Sequence, residues 1–210
     1  MDYKEVFLGA GSALRGSGAF IYFLIPEKWV AMPTYIPPEA YVLKIIDDYA
    51  WIMVGNISML LIPLESDMDK TKGKSFLELK VKVNDRRRYR NVDEWIEKER
   101  KKIEKRESKE LREIGKIKIC DHEGAYIIWL EHKKRFVVFG TNVCEACLSC
   151  NFYCEKTGRE IFLKIRSKDA DAILSRKDEL LFLISSIGCH SRAAKKRVEN
   201  HILFPSETQL

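Results

Sequence analysis

The sequence lacks an apolar run long enough to cross a bilayer, because a spanning helix needs about 20 consecutive apolar residues. Its longest apolar stretches are residues 19–26 and 49–63, and Gly55-Asn56 interrupts the second. The N-terminal residues also lack a basic segment followed by a long apolar one, so no secretory signal peptide is predicted. We therefore expect no membrane span and a cytoplasmic location.

The signatures of common hydrolases and nucleotide-binding enzymes are also missing. The chain contains neither a GxSxG nucleophile elbow nor an HExxH zinc-protease motif. Residues 9–18 read GAGSALRGSG, but Ser17 stands where a phosphate-binding loop needs Lys. A flexible or tightly turning loop is the better use of these glycines. These absences favour a protein without catalytic activity. An active site built from residues that only the fold brings together stays open as an alternative.

What the chain does contain is a globular proportion of apolar residues and much charge. Hydrophobic residues make up 46% of the 210, which is enough for a sizeable core. Charged residues make up 32%, with Lys and Glu prominent, as in proteins of thermophiles. The length suits one α+β domain over residues 19–190, preceded by a Gly-rich segment at 1–18 and followed by a basic tail at 191–210.

Four of the six cysteines lie within residues 144–154, with the spacing C-x2-C-x2-C-x3-C. Thiolates separated by two residues can turn back onto one ion when a tight loop brings them together. We therefore predict a Cys-rich, metal-binding loop over these residues. The candidate ligands are Cys144, Cys147, Cys150, Cys154, Cys189 and His190.

Three interpretations of the cysteines stay open. A zinc ion held by four thiolates, with Cys189 or His190 replacing one or two of them, would fix a loop rather than perform chemistry. An iron–sulfur cluster would need a remote ligand such as Cys120, and Glu155 replaces the proline that ends the ferredoxin run. The third is disulfides, for example Cys154 with Cys189, which hyperthermophile proteins form even inside cells.

Residue patterns predict a mixed fold with a mostly antiparallel sheet. One helix is expected over residues 91–111, where Asn91 and Glu94 have capping-box spacing. A second is expected over residues 171–187, which Gly188 ends. Runs of alternating, β-branched or aromatic residues predict strands at 19–26, 41–46, 49–54, 57–63, 75–83, 117–120, 125–131, 135–140, 152–154 and 160–166.

A basic segment accounts for the whole net charge of +6. Residues 86–118 hold 14 Lys and Arg against 8 Asp and Glu, a surplus of six. Nucleic acid could bind there, with Arg86, Arg87, Arg88 and Arg90 as the candidate residues. The alternative is a solvated helix with internal ion pairs, because the charges alternate in sign.

Five short motifs occur at defined places in this predicted order of strands and helices. These are Ile25-Pro26-Glu27-Lys28-Trp29 after a strand, Asn91-Val92-Asp93-Glu94-Trp95 at a helix start, His122-Glu123-Gly124-Ala125 in a meander, Thr157-Gly158-Arg159 before a strand, and Ser185-Ser186-Ile187 at a helix end. This order resembles the PsbP-like fold, seen in a photosystem extrinsic protein and in a nuclear-import factor that binds a small GTPase. The resemblance implies a central antiparallel sheet sandwiched by helices, in a non-catalytic binding or accessory protein. It implies no functional residue, since the cysteine run is not part of the family pattern.

These observations favour a non-catalytic accessory or binding protein that holds a structural zinc ion and acts on a protein partner. An iron–sulfur redox protein is one alternative. A nucleic-acid-binding protein that uses residues 86–118 is the other.

Overall fold

Extended segments with alternating side chains dominate the chain. The computed structural model describes residues 2–12, 16–35, 43–64, 76–133 and 143–191. In chain order the strands are β1 (Tyr3–Ser12), β2 (Gly16–Pro26), β3 (Val30–Tyr35), β4 (Leu43–Ile46), β5 (Tyr49–Ile52), β6 (Gly55–Ile62), β7 (Leu77–Asn84), β8 (Lys109–Ile119), β9 (His122–Lys133), β10 (Val143–Cys154) and β11 (Arg159–Ser167). The helices are α1 (Val92–Glu104), α2 (Asp171–Leu174) and α3 (Lys177–Ser185).

The strands form two sheets, with the orders β1-β2-β5-β4 and β3-β6-β7-β11-β10-β9-β8. Neighbouring strands in the described parts run antiparallel except β2 and β5, which are parallel at Ala19 and Trp51. The predicted antiparallel character is confirmed. Strands hold 59% and helices 17% of the described residues, so the fold is dominated by its sheets rather than sandwiched by helices.

The main core joins both sheets to α2 and α3. Phe20 and Phe23 of β2 are fully buried there, together with Val81 of β7, Leu163 of β11 and Leu183 of α3. Along β7, buried and more exposed residues alternate, as the two faces of a strand require. The core therefore lies between the four-stranded sheet and the face of the seven-stranded sheet that carries Val81 and Leu163.

Helix α1 covers the opposite face of the seven-stranded sheet. Asn91 Oδ1 accepts the Glu94 amide at 2.8 Å, and the Glu94 carboxylate accepts the Arg90 amide at 2.7 Å. The predicted capping interaction is thus present. Trp95 and Ile103 then pack on apolar side chains of β9 and β10 in a second, smaller core.

The helix ends at Glu104, short of its predicted end at residue 111. The chain turns after α1 and enters β8, whose residues pair with β9. The Ser108 carbonyl, just before β8, already accepts the His132 amide at 2.7 Å. Backbone groups that bond across to a neighbouring strand cannot also continue a helical ladder, which is why the pattern-based helix was too long.

The described part of the Gly-rich N-terminal stretch belongs to β1 and β2, which pair antiparallel. Gly11 pairs with Ser17, and Gly16 turns the chain with a φ of 75°. A Cβ on Gly18 would lie 2.5 Å from the Leu43 side chain. The glycines therefore serve a turn and a close approach inside the sheet.

The helix predicted over residues 171–187 is two helices, α2 and α3. The Ser175 hydroxyl donates to the Asp171 carbonyl, which takes up a backbone acceptor at the end of α2. Side chains of this kind compete with the helical ladder and favour a break. The chain resumes as α3 at Lys177.

Two predicted features lie outside the described residues: the strand at 135–140 and the basic tail from residue 192 onward. Among the helices that are described, none combines the length and apolar character that crossing a membrane requires.

Candidate metal centre

The cysteine run is a strand, so the predicted Cys-rich loop is wrong. Residues of β10 pair with β9 on one side and β11 on the other, and Cys150 lies opposite both Tyr126 and Leu163. Such pairing extends the chain by about 3.3 Å per residue, which separates Cys150 from Cys154 by about 13 Å. Strand alternation also sends Cys147 to the opposite face, under α1.

Thiols spread along a strand in this way cannot close on one ion. Cys144 and Cys150 face the main core at positions well before Cys154, and Cys147 lies in the smaller core. A site made by the run alone is therefore excluded by its extended geometry. Of the predicted ligands, the structure brings together Cys154, Cys189 and His190.

These three residues lie next to His122, where the start of β9, the end of β10 and the segment after α3 come together. His122 begins β9 and Cys154 ends β10, and the register that pairs Gly124 with Phe152 places the two strand ends side by side. Cys189 and His190 follow α3 and lie against the same ends. The four ligand atoms lie within 4.8 Å of one another, so this group could hold a metal ion.

The spacing within the group is that of one coordination shell. The Nδ1 atom of His190 lies 3.5 Å from Cys154 Sγ, 3.3 Å from Cys189 Sγ and 3.3 Å from His122 Nε2. Tetrahedral zinc, with bonds of about 2.3 Å to sulfur and 2.0–2.1 Å to nitrogen, places sulfur and nitrogen ligands about 3.6 Å apart and two nitrogens about 3.3 Å apart. The side chains therefore stand ready for a single tetrahedral ion.

A carboxylate and a third thiol lie next to these ligands. Asp121 Oδ1 lies 3.6 Å from Nε2 of His190, whose Nδ1 faces the thiols. A carboxylate behind a ligating histidine orients the ring and raises its basicity. Cys120, with a left-handed φ of 57°, donates its thiol to the Ile187 carbonyl at 2.7 Å and lies 3.8 Å from Cys189 Sγ. Cys120 therefore lies beside the coordination shell and donates its thiol proton outside that shell.

The charges at the centre favour a thiolate. The Cys189 thiol is hydrogen-bonded to Cys154 and holds the pKa of Cys154 well below its usual range, while burial acts in the opposite direction. Burial raises the pKa of Cys189, assisted by its neighbours Cys120 and Cys154. Burial lowers the pKa of His122, but the Cys154 sulfur outweighs this effect and raises it. The hydrogen bond with Cys189 thus favours the thiolate form of Cys154, which is the form that binds metals.

A buried arginine supports the centre from the core side. The Arg159 side chain has no solvent exposure and lies 4.7 Å from the centroid of the Trp51 ring. Its guanidinium donates to the Cys189 carbonyl at 2.6 Å and to the carbonyls of Phe20 and Ile52 at 2.9 Å each. Burial lowers the pKa of Arg159 to about 10, against the opposing influence of the nearby sulfurs. It therefore remains a cation at neutral pH.

The segment that carries Cys189 and His190 is fastened to β2 as well. Tyr22 and Gly188 exchange two backbone hydrogen bonds, at 3.0 and 2.8 Å. The Ser186 hydroxyl accepts the Leu24 amide at 2.9 Å. These bonds set the segment beside β2 and bring its two ligands to the ends of β9 and β10.

Three of the four arginines proposed for nucleic acid have partners within the protein. Arg87 lies 4.8 Å from the centroid of the Tyr153 ring, Arg90 pairs with Glu94, and the Arg88 amide binds Glu160. The alternating charges of α1 pair internally, and Glu97 and Lys101, for example, form an ion pair at 2.9 Å. This arrangement supports the alternative interpretation of the segment, a solvated helix with internal ion pairs.

The ligands predicted from the sequence did not include His122 or its neighbour Asp121. No spacing rule links His122 to Cys154 or Cys189, because only the register of β9 on β10 brings them together. A usable signal did exist for the strand. Cys144, Leu148, Phe152 and Cys154 alternate with more polar residues over the run, as in a half-buried strand.

No protein-family model matches the chain, and no curated protein is similar to it in sequence. Among solved structures it is similar to cyanobacterial PsbP (CyanoP) from Synechocystis sp. PCC 6803, with 11% identity, a TM-score of 0.45, and 89% of this chain and 92% of that chain covered. It is also similar to the protein PA94 from Pseudomonas aeruginosa, with 8% identity, a TM-score of 0.45, and 81% and 100% covered. The first of these two proteins is a PsbP, the kind of protein whose fold the sequence resembles.

Proposed function

We propose that the chain is a non-catalytic binding protein in which a zinc ion fastens the segment after α3 to the ends of β9 and β10. The ligands would be His122, Cys154, Cys189 and His190. The observation that carries this proposal is the spacing of the ligand atoms around His190 Nδ1, at 3.3–3.5 Å. With two thiolates and two neutral imidazoles, the shell would balance the charge of a divalent ion.

A structural role follows from the closure of the shell. Four protein ligands fill a tetrahedron, whereas a catalytic zinc keeps one position for water or substrate. Cys154 and Cys189 have no solvent exposure, and His190 is 4% exposed. The ligand spacing also favours one ion over an iron–sulfur cluster, whose ligands bind different metal atoms and stand farther apart.

We infer a protein partner and a cytoplasmic location as parts of the same proposal. Support for a partner comes from edge strands that carry exposed apolar side chains. Met32 on β3 is 49% exposed and Ile45 on β4 is 75% exposed, and each strand lies at the edge of its sheet. Edges of this kind invite pairing with another chain. Reduced thiols at the centre fit the cytoplasm.

The experiment compares thermal unfolding with and without a strong chelator, on protein purified without oxygen. We expect chelation to lower Tm by about 10 °C, because an ion that binds only the folded state at a thousandfold excess over its Kd contributes about 4 kcal/mol. Cys154→Ser should remove most of this response. Cys144→Ser, outside the group on the same strand, should keep it.

An unchanged Tm on chelation, with wild-type protein shown to contain zinc, would contradict a structural role. An equal loss of the response in the Cys144→Ser variant would contradict the proposed ligand set.

A further inference from the structure

A second feature of the fold lies away from the metal centre, on the sheet face that carries α1. There α1 and strands β6, β7, β11 and β10 enclose a cleft of about 500 Å³. That volume is in the range of small-molecule sites. The metal ligands are not among the residues that line it.

Two lysines lie opposite each other in the floor of the cleft. Lys80 of β7 pairs in register with Lys164 of β11, and both line the cleft. Like charges directly opposite on adjacent strands destabilise a sheet. The same cross-strand row continues to Ser58 of β6 and Ser149 of β10, so hydroxyls flank the two ammonium groups.

The partners of Lys80 and Lys164 do not neutralise both positive charges. Lys80 pairs with Glu78 at 3.1 Å, but the same carboxylate also accepts Arg166 at 2.6 Å. The Lys164 ammonium lies 5.2 Å from the centroid of the Trp129 ring and has no carboxylate partner among the described residues.

Three further cations line the cleft, which are Lys82, Arg88 and Lys102. Glu99, paired with Lys102, is the one carboxylate among its described lining residues. The described lining therefore holds five cations and one carboxylate, with Glu78 next to Lys80 outside it, and an oxyanion with two negative charges would relieve the repulsion between the cations.

An aromatic wall stands next to the lysine row. Phe162 lies beside Lys164 in β11, opposite Lys82, and its ring contacts Tyr89 at a centroid distance of 6.1 Å. Trp95 of α1 completes this side. A planar ring could pack against these side chains while an attached oxyanion reaches the lysines and serines.

We propose that this cleft binds an organic phosphate of nucleotide size. The phosphate would accept hydrogen bonds from Lys80, Lys164, Ser58 and Ser149, and the ring would pack near Phe162 and Tyr89. Charge-assisted bonds to phosphate are about twice as strong as neutral ones, which would make the phosphate the main determinant of affinity.

The test is calorimetric titration at low salt with AMP, and with adenosine as the matched ligand without phosphate. We expect AMP to bind the wild-type protein and adenosine to bind at least about tenfold more weakly. The double variant Lys80→Gln/Lys164→Gln should lose at least about tenfold in affinity for AMP. The control Lys28→Gln/Lys118→Gln removes the same charge from exposed sites elsewhere and should bind like wild type.

A folding control accompanies the titration. Lys164→Gln alone should raise Tm slightly, because it removes the like-charge pair, so weak binding by this variant would not reflect unfolding. Equal AMP affinities in the double variant and the wild type, or no AMP binding at all, would overturn the proposal. Binding of a single-stranded oligonucleotide by a protein that does not bind AMP would overturn it too. None of these outcomes depends on zinc.

Discussion

At the scale of single residues, Arg159 links the core to the metal centre. It is a fully buried cation, and the described residues offer it no carboxylate partner. The charges that oppose it are the sulfurs of Cys154 and Cys189. A buried charge without compensation is costly, so the arginine and the sulfurs beside it stabilise each other. Its bond to the Cys189 carbonyl also positions that ligand.

Replacing this residue should therefore affect both stability and metal affinity. Arg159→Met would leave the buried carbonyls of Phe20, Ile52 and Cys189 without their donor. We expect unfolding to cost about 3 kcal/mol less, measured with urea on the chelated protein. Zinc affinity, measured by competition with a chromophoric chelator, should fall by about 10- to 100-fold, as for other groups that orient a ligand.

The matched control is Arg112→Met, since Arg112 is exposed and pairs with Glu110 on the surface. It should change both quantities little, as surface ion pairs contribute about 0–1 kcal/mol. A loss of stability in Arg159→Met with unchanged zinc affinity would show that the arginine supports the core alone.

Some ligands of the metal centre could be predicted from the sequence, for a physical reason. Cysteine and histidine are ligand types wherever they occur, so Cys154, Cys189 and His190 could be named. His122 could not be linked to them, because its place depends on strand register, and register is set by the packing of whole sheet faces. Cys144, Cys147 and Cys150 were included because a spacing rule for loops was applied to a strand.

At the scale of elements, α1 is the part of the fold that local sequence determines most clearly. Its cap uses neighbours in the chain, with the Asn91 side chain bound to the Glu94 amide at 2.8 Å. Its end could not be predicted in the same way, because the residues after it bond to β9 across the sheet. Long-range strand pairing thus decides where a locally favourable helix stops.

The cap yields a prediction at this scale. Asn91→Ala should lower the free energy of unfolding by about 1 kcal/mol, because the first turn loses its side-chain acceptor. Asn91→Ser keeps an acceptor and should cost much less. Urea unfolding followed by circular dichroism measures both. Equal losses in the two variants would mean that Asn91 contributes through contacts other than the cap.

At the scale of the molecule, the two proposed sites lie on different parts of one sheet. The metal centre joins the ends of β9 and β10 to the segment beside β2, while the lysine row crosses the middle of β7 and β11. Metal binding should therefore support the C-terminal segment and leave the cleft intact. The proposed function comes from this chain's own side chains and not from its likeness to other proteins.

The central claim is tested most directly by the metal content of protein purified without oxygen, together with zinc-edge X-ray absorption. We predict about one zinc per chain, bound by two sulfur and two nitrogen ligands, in the wild-type protein and in Cys147→Ala. His122→Ala should contain little zinc. Iron with inorganic sulfide, or zinc retained in full by His122→Ala, would contradict the account.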